Sequence, residues 1–284
     1  MPTPTLEDII LSNDRRGMTH LRPHLPNDYC QQAGRLLWEN HDRVLIVTGF
    51  YIDRIAAPET DGPPGALAVG RAVSMLGGHP VYVSDKYTAP LLETFREDGA
   101  EVITFPICDE AASRETAAGI LARVQPSLLL SVERCGVTAH SRYLNCRGED
   151  VSAFTARLDT LFHNDLPSIG IGDGGNEIGM GNLAAVIPNI PGLPVEPAMT
   201  ATTQLIAASV SNWGAYGLVA ALSALAGRDL LPEAAGEEEL LRRLYDAGCY
   251  DGTCGQPVCG VDGFTLAENS QVIARLREWL YEVR

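Results

Sequence analysis

Five short apolar runs recur in the first two thirds of the chain, and none of them alternates polar and apolar positions as a one-sided sheet does. They are RVLIVTGF (43–50), PVYVSD (80–85), EVITFP (101–106), SLLLSVE (127–133) and SIGIGDG (168–174). Because the strands of a parallel sheet are covered on both faces, continuous apolar runs of this length predict buried parallel strands.

Segments with the apolar spacing of helices lie around these runs. They cover residues 27–40, 64–77, 88–98, 110–124, 151–164, 201–226, 236–247 and 264–282. Alternating strands and helices predict an α/β fold with a doubly wound, mainly parallel sheet (Rossmann-like) and a helical C-terminal third. No internal repeat or low-complexity linker interrupts the chain, so we expect a single domain over 1–284. The alternative is a small lobe after about residue 186.

Charge and composition narrow the choice of partners. The formal net charge is −15, and a surface this acidic repels phosphate backbones and anionic lipids. We therefore expect no nucleic acid and no membrane as partner. The N-terminal residues resemble neither a signal peptide nor a transit peptide, and the seven scattered cysteines favour free thiols in a reducing compartment. We expect a cytoplasmic protein.

The chain has one lysine, Lys86, and twenty arginines. A Walker-type phosphate loop needs a lysine directly after its glycine-rich turn, and the chain has no such motif. Schiff-base chemistry, including that of pyridoxal phosphate, would have to use Lys86. Neither cofactor chemistry is favoured.

The stretch GIGDGG, at 170–175, matches the dinucleotide-binding pattern G-x-G-x-x-G. It follows a fifth strand, whereas the fingerprint normally belongs to the first strand of the sheet. Asp173 and Glu177 would also bring two carboxylates against a pyrophosphate, and like charges in one site are costly. The loop therefore favours a cation, either a substrate ammonium or a divalent metal. The alternative is that Asp173 and Asn176 only cap a following helix.

Other polar residues also follow predicted strands, where ligands of open α/β sheets bind. Glu59 and Asp61 in ETDGPPGA lie before a helix, so Asp61 is either its N-cap or part of the same site as Asp173. Glu133 ends an apolar strand, where a carboxylate is poorly placed unless it has a partner or a function. Arg134 and Arg147, in the long connection after it, are suited to bidentate carboxylate binding, with surface ion pairs as the alternative.

Two cysteine patterns favour no site. Cys135 and Cys146 have no clear histidine partner that would make either one a nucleophile. CYDGTCGQPVC, at 249–259, does not have a zinc-ligand spacing.

The segment SNWGAYG, at 211–217, predicts the start of a helix with Ser211 or Asn212 as the cap.

ETDGPPGA, VERCG with YLNCRGEDVS, GIGDGGNEIGMGN, VSNWGAYG and the late VDG together resemble the D-glutamate cyclase family. The resemblance runs from DRRGM, near residue 14, to about residue 263. It implies a lyase of the hydro-lyase type that reversibly dehydrates D-glutamate, a small acidic amino acid, to 5-oxo-D-proline.

The chemistry of lactam closure suggests roles for the residues. Asp173 or Glu177 would bind and deprotonate the amine, and Glu133 would protonate the departing oxygen. Arg134 and Arg147 would bind the carboxylates of the substrate, and the N–H groups of Gly174 and Gly175 would bind the oxyanion. The other residues predicted to contact the substrate are Asn176, Glu59 and Asp61. In an equally acceptable version, Glu59, Asp61, Asp173 and Glu177 bind Mg²⁺ or Mn²⁺ as a Lewis acid.

Three further functions stay open at the level of sequence. One is an enzyme acting on a different amino or hydroxy diacid, and another is a nucleotide-dependent enzyme that uses GIGDGG as a phosphate loop. The third is a non-catalytic module that binds an amino acid. The sequence also leaves a homo-oligomer open.

Overall fold

The computed structural model describes residues 4–253 and 255–284, and a six-stranded parallel sheet lies at its centre. The strands of the described residues are β1 (Arg43–Thr48), β2 (Tyr51–Ile52), β3 (Ala57–Pro58), β4 (His79–Ser84), β5 (Glu101–Thr104), β6 (Leu128–Val132), β7 (Ser168–Gly172) and β8 (Gln204–Ala207). The order of the large sheet is β5-β4-β1-β6-β7-β8, and β2 and β3 form a separate antiparallel pair. The five predicted strands are confirmed as β1, β4, β5, β6 and β7.

Helices cover both faces of this sheet. They are α1 (Leu6–Ile10), α2 (Tyr29–Glu39), α3 (Pro63–Met75), α4 (Ala89–Phe95), α5 (Glu110–Val124), α6 (Ser211–Ala226), α7 (Ala234–Asp246) and α8 (Leu266–Val283). Successive residues of β1 point to opposite faces: Val44 and Ile46 belong to the core cluster that includes α2, α3, α6 and α8, whereas Leu45 and Val47 belong to the cluster that includes α5. The doubly wound α/β fold is therefore confirmed, and so are buried parallel strands for β1, β4, β6 and β7. The prediction of burial is wrong for β5, an edge strand whose residues are exposed or half-buried.

The strand order locates the crevice of the sheet. Counted along the chain, the large sheet runs 3-2-1-4-5-6, which is the order of dinucleotide-binding folds, and the direction of winding reverses between β1 and β6. Ligands of such sheets bind beyond the carboxyl ends of the strands at this reversal. The segments that follow β1 and β6 therefore meet where a site is expected.

The predicted helix over 151–164 is wrong. Two short 3₁₀ turns, Ser152–Phe154 and Leu158–Phe162, replace it, and Thr155 between them is extended. Contacts from distant residues explain the break, because the Ala156 carbonyl accepts from Arg134 and the Asp159 carboxylate accepts from Tyr143. Periodicity along the chain does not report contacts of this kind.

The predicted helix over 201–226 is wrong in its first part. Gln204–Ala207 forms the edge strand β8 beside β7, and the helix α6 begins only at Ser211. A four-residue apolar run is too short for its spacing to separate a strand from a helix. The assignment of 1–284 to one domain stays a prediction, and residues after 186 supply this sixth strand of the main sheet.

The described cysteines carry free thiols, as predicted. Cys254, part of the 249–259 pattern, lies outside the described residues. Of the helices that the structure describes, none is both long and apolar enough to span a lipid bilayer.

Glycine at two helical positions gives a test of the packing between α2 and α6. A Cβ at Gly34 would lie 2.8 Å from the Ala221 Cβ, whereas a Cβ at Gly119, on the exposed face of α5, would meet nothing within 4 Å. We expect Gly34→Ala to lower the free energy of unfolding by about 1–3 kcal/mol, because the two helices must separate. Gly119→Ala should raise it by about 0.5–1 kcal/mol through helix propensity alone. Urea denaturation of both variants measures the difference, and equal effects would contradict this packing.

Candidate active site

A cavity of about 560 Å³ opens at the carboxyl ends of β1, β6 and β7. Its volume lies in the range of roughly 300–1,000 Å³ that is typical of small-molecule sites. The segments after these three strands line it, together with Arg16 from the N-terminal region and with Thr253 and Asp262 from the C-terminal region. The cavity thus coincides with the crevice that the strand order predicts.

Five buried carboxyl groups line this cavity and a sixth, that of Asp61, lies against two of them; we call the six the carboxylate cluster. They belong to Glu59, Asp61, Glu133, Asp173, Glu177 and Asp262. Oxygen atoms of Asp61, Glu133 and Asp173 lie within 4.8 Å of one another. The structure therefore brings together all five acids that the sequence singled out and adds Asp262.

Among the described residues, Arg16 is the cation that contacts the cluster, and the sequence alone assigns it no role. Its Nη1 donates to Asp173, and its Nη2 lies 2.9 Å from Asp262. Arg16 and Asp262 lie in DRRGM and VDG, two segments that carry the family resemblance, and this position could have pointed to a functional role for both. One guanidinium against six carboxyl groups leaves a large excess of acid in a buried place.

Burial and mutual repulsion shift the acids of the cluster toward their protonated forms. Burial raises the pKa of Asp61 to about 8, and the nearby Asp262 carboxylate adds to the effect. Burial, and then the Asp173 carboxylate, raise the pKa of Glu133 well above its usual range. Burial likewise raises the pKa values of Glu59, Asp173 and Asp262. Near neutral pH the cluster therefore holds protons that exposed carboxylates would have released.

Two helix N-termini meet beside the cluster and cap each other. The Asp61 carboxylate, which precedes α3, accepts the N–H groups of Ser211 and Asn212 at the start of α6, both at 2.8 Å. The Asn212 Oδ1 in turn accepts the N–H groups of Gly62 (3.0 Å) and Gly65 (2.8 Å) at the start of α3. Both capping predictions are wrong, because Asp61 caps α6 and Asn212 caps α3, each from a distant part of the chain.

Glu133 adopts a backbone conformation that aims its side chain into the cluster. Its φ of 46° is left-handed, which is costly for a residue with a Cβ and is found mostly at functional sites. The Oε2 accepts the Ser211 hydroxyl at the start of α6. Gly62 makes room for this arrangement, since a Cβ there would lie 2.9 Å from the Glu133 Cβ.

The backbone N–H groups of the glycine-rich loop after β7 donate to the side chain of Glu177, which follows in the same loop. The Glu177 carboxylate accepts the N–H groups of Gly174 at 2.7 Å and Gly175 at 2.8 Å. That these N–H groups bind a substrate oxyanion stays a prediction, and Glu177 would have to give up both hydrogen bonds for it. Burial raises the pKa of Glu177, and the hydrogen bonds from this loop oppose the shift. The donors that a pyrophosphate would use are occupied.

Asn176 lines the cavity between the loop and the carboxylate cluster. Its Oδ1 is buried and has no hydrogen-bond partner among the residues described. The next helical element is a short 3₁₀ turn, Met180–Leu183, which is capped by Gly179 and receives no side-chain hydrogen bond. The hypothesis that Asp173 and Asn176 only cap a helix is therefore wrong.

The two predicted carboxylate-binding arginines lie in different places. Arg134 is buried outside the cavity lining, where its Nη1 contacts Asp85 at 2.6 Å and the Gly49 carbonyl at 2.7 Å. It ties strand ends together, so the prediction that it binds a substrate carboxylate does not agree with its position. Arg147 lines the cavity and is exposed there.

The candidate nucleophiles are not activated. Cys146 lines the cavity, but burial raises the pKa of its thiol to about 11. Burial also raises the pKa of Cys135. A thiol at neutral pH is a poor nucleophile. Lys86, the candidate for Schiff-base chemistry, is exposed and stacks over Tyr87 instead of lining the cavity.

Comparison with known proteins gives two findings. The family model described as "D-glutamate cyclase-like, C-terminal" matches residues 6–277. The human protein named "D-glutamate cyclase, mitochondrial" is 32% identical over 242 residues, an alignment that covers 76% of this chain and 38% of the human protein. The chain therefore spans well under half of the length of this relative.

The protons of the cluster make stability depend on pH. A carboxyl group whose pKa is raised on folding stabilises the fold at acid pH, and this contribution is lost as the pH rises toward the folded pKa, which is about 8 for Asp61. We expect the free energy of unfolding to fall between about pH 5 and about pH 8. Glu133→Gln should make this slope shallower by up to about 1.4 kcal/mol per pH unit, the contribution of one proton.

Chemical denaturation at a series of pH values measures this slope. Glu115→Gln, which removes an exposed carboxylate on α5, is the matched control and should leave the slope unchanged. A Glu133→Gln variant with the wild-type slope would show that Glu133 does not share the protons of the cluster.

Proposed function

The chain belongs to the D-glutamate cyclase-like family, and from this premise we propose that it catalyses the reversible cyclisation of D-glutamate to 5-oxo-D-proline with loss of water. The observation that carries the proposal is the buried, proton-holding carboxylate cluster at the base of a cavity of small-molecule size. Such a cluster suits a substrate with an ammonium group and a reaction that only moves protons and closes a ring.

The reaction has a simple balance of atoms. The α-amine attacks the γ-carboxyl carbon, a C–N bond forms, and one C–O bond of the γ-carboxyl breaks. The ammonium nitrogen loses two protons, and both end on the departing oxygen, which leaves as water. The attack is intramolecular and gains the rate advantage of proximity, so no activating nucleotide is needed in principle.

The cluster offers groups for both proton movements. We assign the binding and deprotonation of the amine to Asp173 in preference to Glu177, because an Asp173 oxygen lies within 4.8 Å of a Glu133 oxygen. The oxygens of both acids already accept hydrogen bonds, those of Asp173 from Arg16 and the Ser211 N–H and those of Glu177 from loop N–H groups. Glu133 would protonate the departing oxygen, since its raised pKa lets it carry a proton near neutral pH. The unpaired Asn176 Oδ1 would accept from the amine, and Asp61 and Glu59 would complete the negative surroundings.

A divalent cation is the second candidate for organising the same cluster. Asp61, Glu133 and Asp173 present oxygen atoms close enough to share one ion, and oxygen ligands suit Mg²⁺ or Mn²⁺. This set replaces the Glu59 and Glu177 of the sequence-based set with Glu133. A bound ion would supply Lewis acidity toward the γ-carboxyl group. The residues fit such an ion as well as they fit shared protons.

The three further functions that the sequence leaves open receive less support. The occupied N–H groups of Gly174 and Gly175 do not favour a phosphate loop. An enzyme for another amino diacid and a non-catalytic amino-acid module would use the same cavity, and turnover of D-glutamate separates the proposal from both. The free thiols are in keeping with a reducing compartment such as the cytoplasm.

The proposal predicts a stereospecific reaction. Purified protein should interconvert D-glutamate and 5-oxo-D-proline and leave L-glutamate unchanged, as measured by chiral chromatography. Asp173→Asn should lower turnover by about 10²–10⁴-fold, because proton transfer from the amine is lost. Glu115→Gln is the control for a changed net charge. No interconversion by a folded wild-type protein would overturn the proposed reaction.

Cation binding can be tested apart from turnover. If shared protons alone stabilise the cluster, excess Mn²⁺ should raise the Tm of the wild type no more than that of Glu133→Gln, and EDTA should leave turnover unchanged. Thermal denaturation at about pH 8, where fewer cluster protons remain, gives the sharpest comparison. A rise in Tm confined to the wild type would instead assign Asp61, Glu133 and Asp173 to a metal.

A further inference from the structure

Two arginines at the rim of the cavity have no acidic partner among the residues that the structure describes. Arg54 and Arg147 both line the cavity, and in the described part of the chain their side-chain hydrogen bonds go to main-chain carbonyls, not to carboxylates. The protein has 36 acidic residues against 21 basic ones, so unpaired guanidinium groups are not explained by a shortage of acids. Their free donors point to an anion that comes from outside the chain.

Two local turns bring the side chains of Arg54 and Arg147 to the same backbone carbonyl. Arg54 lies in the 3₁₀ turn Asp53–Ile55, which connects β2 to β3. Arg147 lies in a tight turn that the Asn145 Oδ1 builds by accepting the Arg147 and Glu149 N–H groups, each at 3.0 Å. The Nη2 of Arg54 and the Nη2 of Arg147 then donate to one oxygen, the Thr253 carbonyl, at 3.0 Å and 3.3 Å.

The shared carbonyl is itself fixed in place. The Asp251 Oδ1 accepts the Thr253 N–H at 2.8 Å, and its Oδ2 accepts the Gly263 N–H at 2.7 Å. Two like charges are thereby brought close around a neutral acceptor, and a carboxylate between them would relieve their repulsion.

Among the described residues, the acids at the rim form no ion pair with either arginine. Glu149 and Asp150 also line the cavity, but Glu149 accepts the Asn145 side chain at 2.6 Å and Asp150 accepts the Ser152 N–H at 2.9 Å. Asp53, next to Arg54, makes no ion pair with either arginine within residues 4–253 and 255–284. The cavity is therefore acidic at its base and carries two unpaired cations at its rim.

We propose that Arg54 and Arg147 form a clamp for the α-carboxylate of an α-amino acid whose ammonium group points toward the carboxylate cluster. The assignment rests on the proposed function, in which the amine and the γ-carboxyl react and the α-carboxylate does not change. A group that does not react can be held at the rim throughout the reaction. Fixing it while the amine is held at the base also restricts the configuration at the α-carbon, so the clamp contributes to the choice of enantiomer.

Removal of one guanidinium tests the clamp. Arg54→Ala should raise the KM for D-glutamate, and its Kd in calorimetry, by about 10–100-fold, with a smaller change in kcat. Arg54→Lys retains the charge without the planar fork and should recover part of the loss. Arg123→Ala is the matched control, because it removes an exposed guanidinium that pairs with Glu101 at the start of the edge strand β5 and does not line the cavity.

A substrate without the α-carboxylate gives the decisive comparison. 4-Aminobutyrate retains the amine and the reacting carboxyl group, and its cyclisation would give 2-pyrrolidinone. We expect Arg54→Ala to leave the kcat/KM or the Kd for 4-aminobutyrate unchanged, so that the variant loses its preference for D-glutamate. Equal losses for both ligands, or unchanged D-glutamate binding, would overturn the clamp. Binding of D-glutamate that depends on Arg54 but gives no turnover would support the clamp and overturn the proposed reaction.

Discussion

The reciprocal capping of α3 and α6 is the interaction on which the site depends. Asp61 accepts the first N–H groups of α6, and Asp173 shares the one of Ser211. Asn212 accepts the first N–H groups of α3, and Asp61 shares the one of Gly62. The positive ends of two helix dipoles therefore converge beside the buried acids and reduce the cost of their negative charge. The same contact places Ser211 against Glu133 and Asp61 near Asp173, so one pair of caps brings together half of the carboxylate cluster.

The charge balance of the cluster explains how it could move protons. Six buried carboxyl groups face one guanidinium, that of Arg16, and groups this crowded cannot all be ionised in a poorly solvated place. Sharing of protons and binding of a cation are the two ways to relieve the repulsion. Protons shared in this way are what ring closure requires, because the same number leaves the nitrogen as joins the departing oxygen. Repulsion among the buried carboxylates therefore accounts both for their raised pKa values and for the protons that the proposed reaction uses.

The sequence predicted the sheet well, because buried parallel strands are read from local apolar runs. It also placed Asp173, Glu133 and the acids of ETDGPPGA together, since residues at the carboxyl ends of adjacent strands must converge. It could not find the contact of Arg16 with Asp173, which spans 157 positions and follows no periodicity. The same limit explains Arg134, whose residue type suits a carboxylate but whose partner, Asp85, lies after another strand.

GIGDGG shows why fold and motif together do not decide function. The sheet has the strand order of dinucleotide-binding proteins, and the loop has their glycine pattern, yet the N–H groups of Gly174 and Gly175 bind Glu177. This acceptor lies two positions beyond the six-residue pattern, so the pattern cannot report that its donors are occupied. A carboxylate supplied by the chain takes the place that a phosphate takes elsewhere, and the loop then lines an acidic cavity. Function follows from which groups keep unused hydrogen-bonding capacity or lack an ionic partner, here the Asn176 oxygen and the rim arginines, and not from the scaffold that carries them.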